Sequence, residues 1–129
     1  MLKIKNVSGS AGHQPPKYRT WIQYYRSQYK IKHKLTCSYY YCNRQDVHGA
    51  HVNKYLLNIT ISNIFYPKTY IIPLCPKHNN PNFKQAFYIK NNTKLLECNY
   101  IDYSYIIYKY LIMVLIITGI VHYIKSKLF

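Results

Sequence analysis

The longest apolar run of the chain lies near its C-terminal end. Within residues 105–124, Lys109 and His122 are the only ionisable side chains besides tyrosines. A helix of this length is about 30 Å long, the thickness of the hydrocarbon core of a bilayer. Tyrosines lie at both ends of the run and lysines follow it, as at the edges of transmembrane helices. We predict a membrane anchor over residues 103–129, the alternatives being a buried helix or a pair of β-strands.

A helical period recurs in the first third of the chain. Trp21, Tyr25 and Tyr29 are spaced at four-residue intervals. This spacing predicts an amphipathic helix over residues 18–34 whose aromatic stripe packs against a core, the alternative being a platform on which nucleobases stack. The preceding residues, 1–17, are polar and contain glycines and a Pro-Pro pair, so we predict a flexible basic arm there.

Shorter segments between these two regions have the alternation and the β-branched residues typical of strands. Together with the helix they predict one α+β domain over residues 18–100. The expected elements are strands at 49–52 and 69–74, a strand or irregular insert at 55–66, a short helix within 76–85, and a hairpin formed by 85–90 and 94–97.

The charge balance excludes several classes of enzyme. Lys and Arg number 18 against three acidic residues, so the formal net charge is +15. Paired-carboxylate glycosidase sites, carboxylate-held two-metal nuclease sites and EF-hand calcium sites have almost no acids from which to be built. A surface this basic attracts polyanions, which are nucleic acid or an anionic lipid surface.

Basic residues concentrate around the predicted helix and the segment after it. They are candidate contacts to nucleic acid, and the alternative is a solvated basic surface with no specific partner. The candidates are Lys17, Arg19, Arg26, Lys30, Lys32, Lys34 and Arg44.

The cysteines indicate a metal site. Cys37 and Cys42 form a C-x4-C pair, and Cys75 and His78 form a C-x2-H pair. Three thiolates and one imidazole are a closed tetrahedral set for a structural Zn²⁺ ion. Two disulfides are the alternative. Because residues 1–12 lack a continuous apolar stretch, we expect a reducing compartment, the cytosol, with Cys98 as a free thiol outside the cluster.

One order of motifs carries a family resemblance. A helix with Trp21 is followed by the C-x4-C pair, by Gly-Ala-His-Val at 49–52, and by Ile-Ile-Pro-Leu-Cys-x2-His-Asn at 71–79. This order resembles small, mostly uncharacterised HNH-like zinc-binding proteins of phages, viruses and bacteria. The resemblance covers residues 6–97 and implies a treble-clef-like zinc module, and the membrane-like tail departs from the usual form of that group.

The resemblance extends more distantly to HNH nucleases. It implies that His51 corresponds to the general base and Asn79 to the residue that begins the last helix, while Ala50 stands where a metal-binding Asp is expected. Without that carboxylate a catalytic Mg²⁺ has no anionic protein ligand, unless Asp46 reaches in. His51 also has two non-catalytic interpretations, which are a buried structural histidine and an extra zinc ligand.

Three functions follow as expectations. We expect a small, tail-anchored zinc module, held at the membrane by residues 105–124 with its zinc domain in the cytosol. It would be non-catalytic and would bind nucleic acid or another anionic partner. The alternatives are a divergent HNH-type endonuclease using His51 and Asn79, and a structural membrane protein whose zinc knuckle mediates protein contacts.

Overall fold

The computed structural model describes residues 1–7, 10, 12–55, 68–98 and 103–128, with side chains in the last helix from residue 107 onward. The chain divides into two compact units, Met1–Asn99 and Tyr100–Phe129. In its described residues the first unit combines a sheet with one helix, and the described part of the second unit is a single helix. The fold is therefore α+β with a C-terminal apolar helix. The predicted segment 55–66 lies outside the described residues, except for Tyr55.

A five-stranded antiparallel sheet forms the first unit. Its order is β4-β1-β2-β3-β5. The central pair, β2 and β3, aligns Ala50 with Ile72 and Val52 with Tyr70. The core lies against this pair, where Val52 and Ile72 are fully buried. The strands are β1 (Lys3–Asn6), β2 (His48–Lys54), β3 (Thr69–Leu74), β4 (Phe87–Tyr88) and β5 (Leu96–Cys98). The predicted strands at 49–52 and 69–74 are confirmed.

Helix α1 (Trp21–Gln28) is shorter than the predicted 18–34 because its two ends are capped. The Thr20 hydroxyl accepts a hydrogen bond from the Gln23 backbone at 3.3 Å. At the other end Lys30 adopts a left-handed conformation with φ 51°, and Ile31 N–H donates back to the Arg26 carbonyl at 2.9 Å. This is the Schellman arrangement that ends helices.

The aromatic stripe of α1 faces the domain, as predicted. Tyr25 is buried, and its hydroxyl donates to the Lys94 carbonyl at 2.9 Å. The Tyr29 hydroxyl donates to the Leu95 carbonyl at the same distance. Through Tyr25 and Tyr29 the helix therefore rests on the segment that leads into β5.

Three predictions about elements were wrong. Residues 3–6 of the expected flexible arm form β1, which pairs with both β2 and β4. Residues 76–85 contain turns and no helix. The expected hairpin does not form, because β4 and β5 lie at opposite edges of the sheet. The strands β1, β4 and β5 pair with segments that are distant in sequence, so the local pattern does not reveal these pairings.

Helix α2 (Tyr103–Leu128) is the second unit. Its segment Ile107–Leu128 is long and apolar enough to cross a membrane, and none of that segment is buried. The apolar side chains along it are exposed, with Leu115 at 69%. Length and composition thus agree with the predicted anchor, whose residues 105 and 106 have no described side chains.

Candidate metal centre and adjoining cleft

The four predicted metal ligands lie together. The ligand atoms of Cys37, Cys42, Cys75 and His78 are all within 4.8 Å of one another. The Cys42 and Cys75 sulfurs are 3.8 Å apart, and His78 Nδ1 lies 3.3 Å from the Cys75 sulfur and 3.5 Å from the Cys37 sulfur. All four cysteines are free thiols, so the disulfide alternative is wrong.

These distances fit a tetrahedral ion. With Zn–S bonds of about 2.3 Å and a Zn–N bond of about 2.0 Å, a tetrahedron has S···S edges of about 3.8 Å and S···N edges of about 3.5 Å. The three close pairs match those edges within 0.2 Å. The four side chains can therefore hold one metal ion with little rearrangement.

Two loops and the end of one strand supply the ligands. Cys37 and Cys42 bracket a turn in which Cys42 N–H donates to the Tyr39 carbonyl at 3.0 Å. Cys75 follows β3, and the chain turns at once, since His78 N–H donates to the Cys75 carbonyl at 3.0 Å. The two short loops explain why local spacing predicts this site. Their juxtaposition depends on a backbone bond from Ser38 N–H to the Pro73 carbonyl at 2.8 Å.

A lysine from outside the cluster stabilises the first loop. Lys90 Nζ donates to the Cys37 carbonyl at 2.9 Å and to the Cys42 carbonyl at 2.6 Å. Its positive charge also lies near the thiolates that a metal would require, where it helps to offset their negative charge. No sequence motif marks this residue, because it comes from the segment that follows β4.

A strand residue stabilises the second loop. The Asn6 side chain at the end of β1 donates to the His78 carbonyl at 2.7 Å and to the Phe83 carbonyl at 3.3 Å. Sequence reasoning missed this residue as well, because it placed residues 1–17 outside the domain. The N-terminal strand thus positions the loop that carries a metal ligand.

A metal ion at this cluster would compete with protons for the ligand atoms. Burial raises the pKa of Cys37 to about 12. Burial also acts to raise the pKa of Cys42, but hydrogen bonds from Arg44, Cys75 and Cys37 lower it overall. The pKa of His78 is lowered by burial and by the nearby charges of Lys77 and Arg44. A neutral imidazole is the form that binds metals, whereas Cys37 must lose a proton on binding.

Aromatic rings surround the histidine ligand. The Tyr39 ring stacks on His78 with a centroid distance of 4.1 Å and an interplanar angle of 16°. Phe83 contacts the same imidazole edge-on at 5.3 Å. These rings fix the orientation of the imidazole and exclude water from the cluster, as outer groups do around many metal sites.

The two residues implied by the nuclease resemblance line one cleft of about 500 Å³. His51 and Asn79 both face it, together with His13, His48 and Lys5. No carboxylate is among the lining side chains that the structure describes. Ala50 is 1% exposed in the core, and Asp46 is exposed and bound to Arg44 with an Nε···Oδ1 distance of 2.9 Å. Neither residue supplies an oxygen ligand to the cleft.

His51 is a buried side chain of β2 that contacts the N-terminal end of helix α1. It is 6% exposed and contacts the Trp21 ring edge-on with a centroid distance of 4.9 Å. Burial, and then the charge of His13, lower the pKa of His51 to about 4. His51 is therefore neutral at pH 7. It is not part of the four-residue metal cluster, so its interpretation as an extra zinc ligand is wrong.

The candidate nucleic-acid contacts are accessible but differ in their surroundings. Arg26 is half-buried and donates to the His33 carbonyl at 3.1 Å, while Arg44 is ion-paired with Asp46. The others are exposed, and they are Lys17, Arg19, Lys30, Lys32 and Lys34. Five of the seven candidates therefore form an exposed basic surface, while Arg26 and Arg44 are bound to other groups of the protein.

Comparisons of the chain with protein-family models, with curated proteins and with solved structures found no match.

Proposed function

We propose that this protein is a membrane-anchored zinc module whose basic domain binds nucleic acid. The observation that carries the proposal is the cluster of three cysteines and one histidine, whose spacing fits a tetrahedral ion. A closed set with three sulfurs favours Zn²⁺ over harder ions such as Mg²⁺. With all four positions filled by protein, the ion would serve the fold and not a reaction.

The anchor and the compartment complete the proposal. Helix α2 supplies a segment long and apolar enough to span a bilayer. If the helix is a tail anchor, the zinc domain faces the cytosol, which agrees with cysteines kept reduced for metal. The resemblance to HNH-like zinc proteins supports a treble-clef-like arrangement of the two ligand pairs.

Electrostatics support a polyanionic partner. The chain has an excess of 15 positive charges. Of its three acidic residues, Asp46 and Glu97 are described, and each is ion-paired, with Arg44 and with Lys68. Each phosphate contact by a free lysine releases counterions, so binding weakens steeply as salt increases. Nucleic acid is favoured over a bilayer surface because the helix already supplies membrane attachment.

The test is the salt dependence of binding. The full chain in zwitterionic nanodiscs, loaded with zinc, is titrated with a labelled DNA duplex at several salt concentrations. The logarithm of the binding constant should fall linearly with the logarithm of salt, and the double variant K32Q/K34Q should reduce the slope by about 2. The matched control is K68Q, which removes a lysine already paired with Glu97 at 3.1 Å. A flat salt response contradicts the proposal.

One observation favours a second candidate, a divergent HNH-type endonuclease. His51 and Asn79 line the same cleft, as the resemblance implies for the general base and the helix residue. The missing carboxylate weighs against it, since a catalytic magnesium would lack an anionic ligand. Magnesium-dependent nicking of a plasmid that the His51→Ala variant has lost would establish this candidate. Equal nicking by both proteins would exclude His51 as its base.

A further inference from the structure

We propose that a tyrosine-lined groove beside the metal centre binds an unpaired nucleobase, so that this domain prefers single-stranded over double-stranded nucleic acid. The groove is defined by Tyr40, Tyr41, Gln85, Phe83, Phe87 and Tyr88. The inference rests on the proposed function and adds to it the strandedness of the partner and the site that detects it.

The groove exposes rings that a small domain would otherwise bury. Tyr41 is 82% exposed, while Tyr88 and Tyr40 are exposed to 48% and 41%. The Tyr40 and Tyr41 rings form an edge-to-face pair with centroids 4.9 Å apart. Such a pair stiffens both rings, and the high exposure of Tyr41 leaves its face open for a third aromatic ring.

The groove has the size of a single base. Its volume is about 160 Å³. A groove of this size has room for one flat ring against its aromatic side chains. Phe83 and Phe87 also line it, with ring centroids 5.4 Å apart. The side-chain amide of Gln85 adds a polar group that can hydrogen-bond to a base edge.

The walls of the groove are held by backbone bonds. Tyr40 N–H donates to the Tyr88 carbonyl at 3.1 Å, and Tyr39 forms a β-bridge with Ile89. One wall, residues 39–41, lies between the metal ligands Cys37 and Cys42. An ion held by those two cysteines would therefore fix this wall, and a metal-free chain should lose base binding as well.

Charge around the groove favours a phosphate backbone. Lys3 Nζ lies 5.4 Å from the centroid of the Tyr88 ring, at the rim. Phe83 lines both this groove and the larger cleft that holds Lys5 and Lys84, so basic side chains lie on both sides of the aromatic rings. Aromatic rings next to lysines are the arrangement by which proteins bind single strands without reading sequence.

A bilayer interface is the competing occupant for tyrosines and lysines. It recruits rings that project outward from a convex surface. Tyr41, at 82% exposed, is such a ring, but Tyr40 and Tyr88 are only half exposed and line the groove together with the Gln85 side chain. The geometry points to a planar ligand, and the bilayer is left as an outcome of the test.

The experiment compares three probes on the full, zinc-loaded chain in zwitterionic nanodiscs. The probes are a twelve-nucleotide oligothymidylate, an abasic strand with the same number of phosphates, and a duplex of the same length. The variant Tyr41→Leu should lose affinity for oligothymidylate by about fivefold or more, and for the abasic strand by less than about twofold. Tyr41→Phe should bind like the wild type, because stacking needs the ring and not the hydroxyl. The matched control is Tyr18→Leu, an exposed tyrosine outside the groove that is 37% exposed.

A fluorescent reporter separates stacking from loss of fold. Tyr41→Trp should keep the wild-type affinity, and its added emission, after subtraction of the Trp21 signal, should be quenched by oligothymidylate and not by the abasic strand. Quenching of that emission by brominated lipid without any oligonucleotide would show that the ring lies in the bilayer and would overturn the inference.

The outcomes distinguish this inference from the function on which it rests. If the wild type binds all three probes equally and Tyr41→Leu changes nothing, the groove proposal fails and nucleic-acid binding stands. If Tyr41→Leu weakens the base-bearing and abasic strands by the same factor, the groove proposal also fails. If the wild type binds none of the probes, the proposed function itself is wrong.

Discussion

The domain of residues 1–99 and the C-terminal helix treat their apolar side chains in opposite ways. In the domain, Ile4, Ile72 and Leu74 are fully buried in the same core cluster as the three candidate metal-ligand cysteines. In helix α2, Leu115 and Ile116 are exposed to 69% and 56%. The domain buries a small apolar core next to four side chains that could bind a metal, whereas the helix exposes a long apolar surface.

This contrast leads us to propose that each region depends on something besides its own chain. Metal binding would add to the stability of the domain, because the four ligands are brought together only in the folded chain. The helix completes its backbone hydrogen bonds internally, and we propose that lipid surrounds its exposed apolar side chains. The two regions should therefore respond to different perturbations, the domain to loss of metal and the helix to loss of lipid.

Removing one metal ligand should have the largest effect. We expect Cys75→Ser to abolish tight zinc binding and to unfold the domain, at a cost on the order of 10 kcal/mol. The near-UV circular dichroism and the dispersed amide resonances of the domain should disappear, while the far-UV helical signal of α2 in micelles remains. Cys98→Ser is the control, because Cys98 lies outside the cluster. A Cys75→Ser protein with a native spectrum would show that the domain does not depend on the metal cluster for its fold.

A charge in the middle of helix α2 should have the next largest effect, confined to the other region. We expect Leu115→Arg to disfavour membrane insertion by about 3 kcal/mol. The fraction of protein that resists alkaline extraction from membranes should fall, whereas zinc content per chain should be unchanged. Leu115→Ile is the matched control. Equal extraction of both variants would mean that α2 is not a membrane anchor.

Adding a methyl group at Gly49, where helix α1 packs on strand β2, should destabilise the domain by about 2 kcal/mol. A Cβ atom added at Gly49 would lie 2.4 Å from the Trp21 Cβ and 2.7 Å from the Ile22 backbone nitrogen. We expect Gly49→Ala to lower the midpoint of denaturant unfolding without releasing zinc under native conditions. Gly12→Ala, where nothing lies within 4 Å, should leave the midpoint unchanged. An unchanged midpoint for Gly49→Ala would contradict this packing.

Acid should weaken the domain through His51, with a smaller effect. Its pKa is lowered from 6.5 to about 4, so the unfolded chain binds a proton more readily between these values. The stability contributed by neutral His51 is complete above pH 6.5 and is lost as the pH falls towards 4. Between about pH 7.5 and about pH 5.5 the loss should be roughly 1.3 kcal/mol.

Denaturant unfolding of the wild type and of His51→Gln at both pH values isolates this term. Acid also protonates the metal ligands, but that loss is common to both proteins and cancels in the difference. A pH response of the same size in His51→Gln would show that His51 is not the group responsible.

What the sequence could predict follows from how local each feature is. Cys37 with Cys42, and Cys75 with His78, are close along the chain, so spacing alone indicates a metal site. The central strands and the apolar helix are likewise visible locally, the strands from their β-branched residues and the helix from its continuous apolar run. The long run from Ile107 to Leu128 needs no partner within the chain to be recognised.

What could not be predicted depends on contacts between distant segments. Strand β1 was missed because Ile4 pairs with Lys54 and Phe87, far along the chain. The same holds for Lys90, which reaches back to the loop of Cys37, and for Asn6, which holds the loop of His78. The tyrosine groove was missed because Tyr41 and Tyr88 meet only once β4 takes its place at the sheet edge.

We propose above all that one ion is held by three sulfurs and one nitrogen. Metal analysis of the full chain purified without added metal, combined with X-ray absorption at the zinc edge, tests it most directly. We predict one zinc per chain, with three sulfur neighbours at about 2.3 Å and one nitrogen at about 2.0 Å. A chain that carries no metal after reconstitution with zinc, or an ion surrounded by oxygen atoms, would contradict the account.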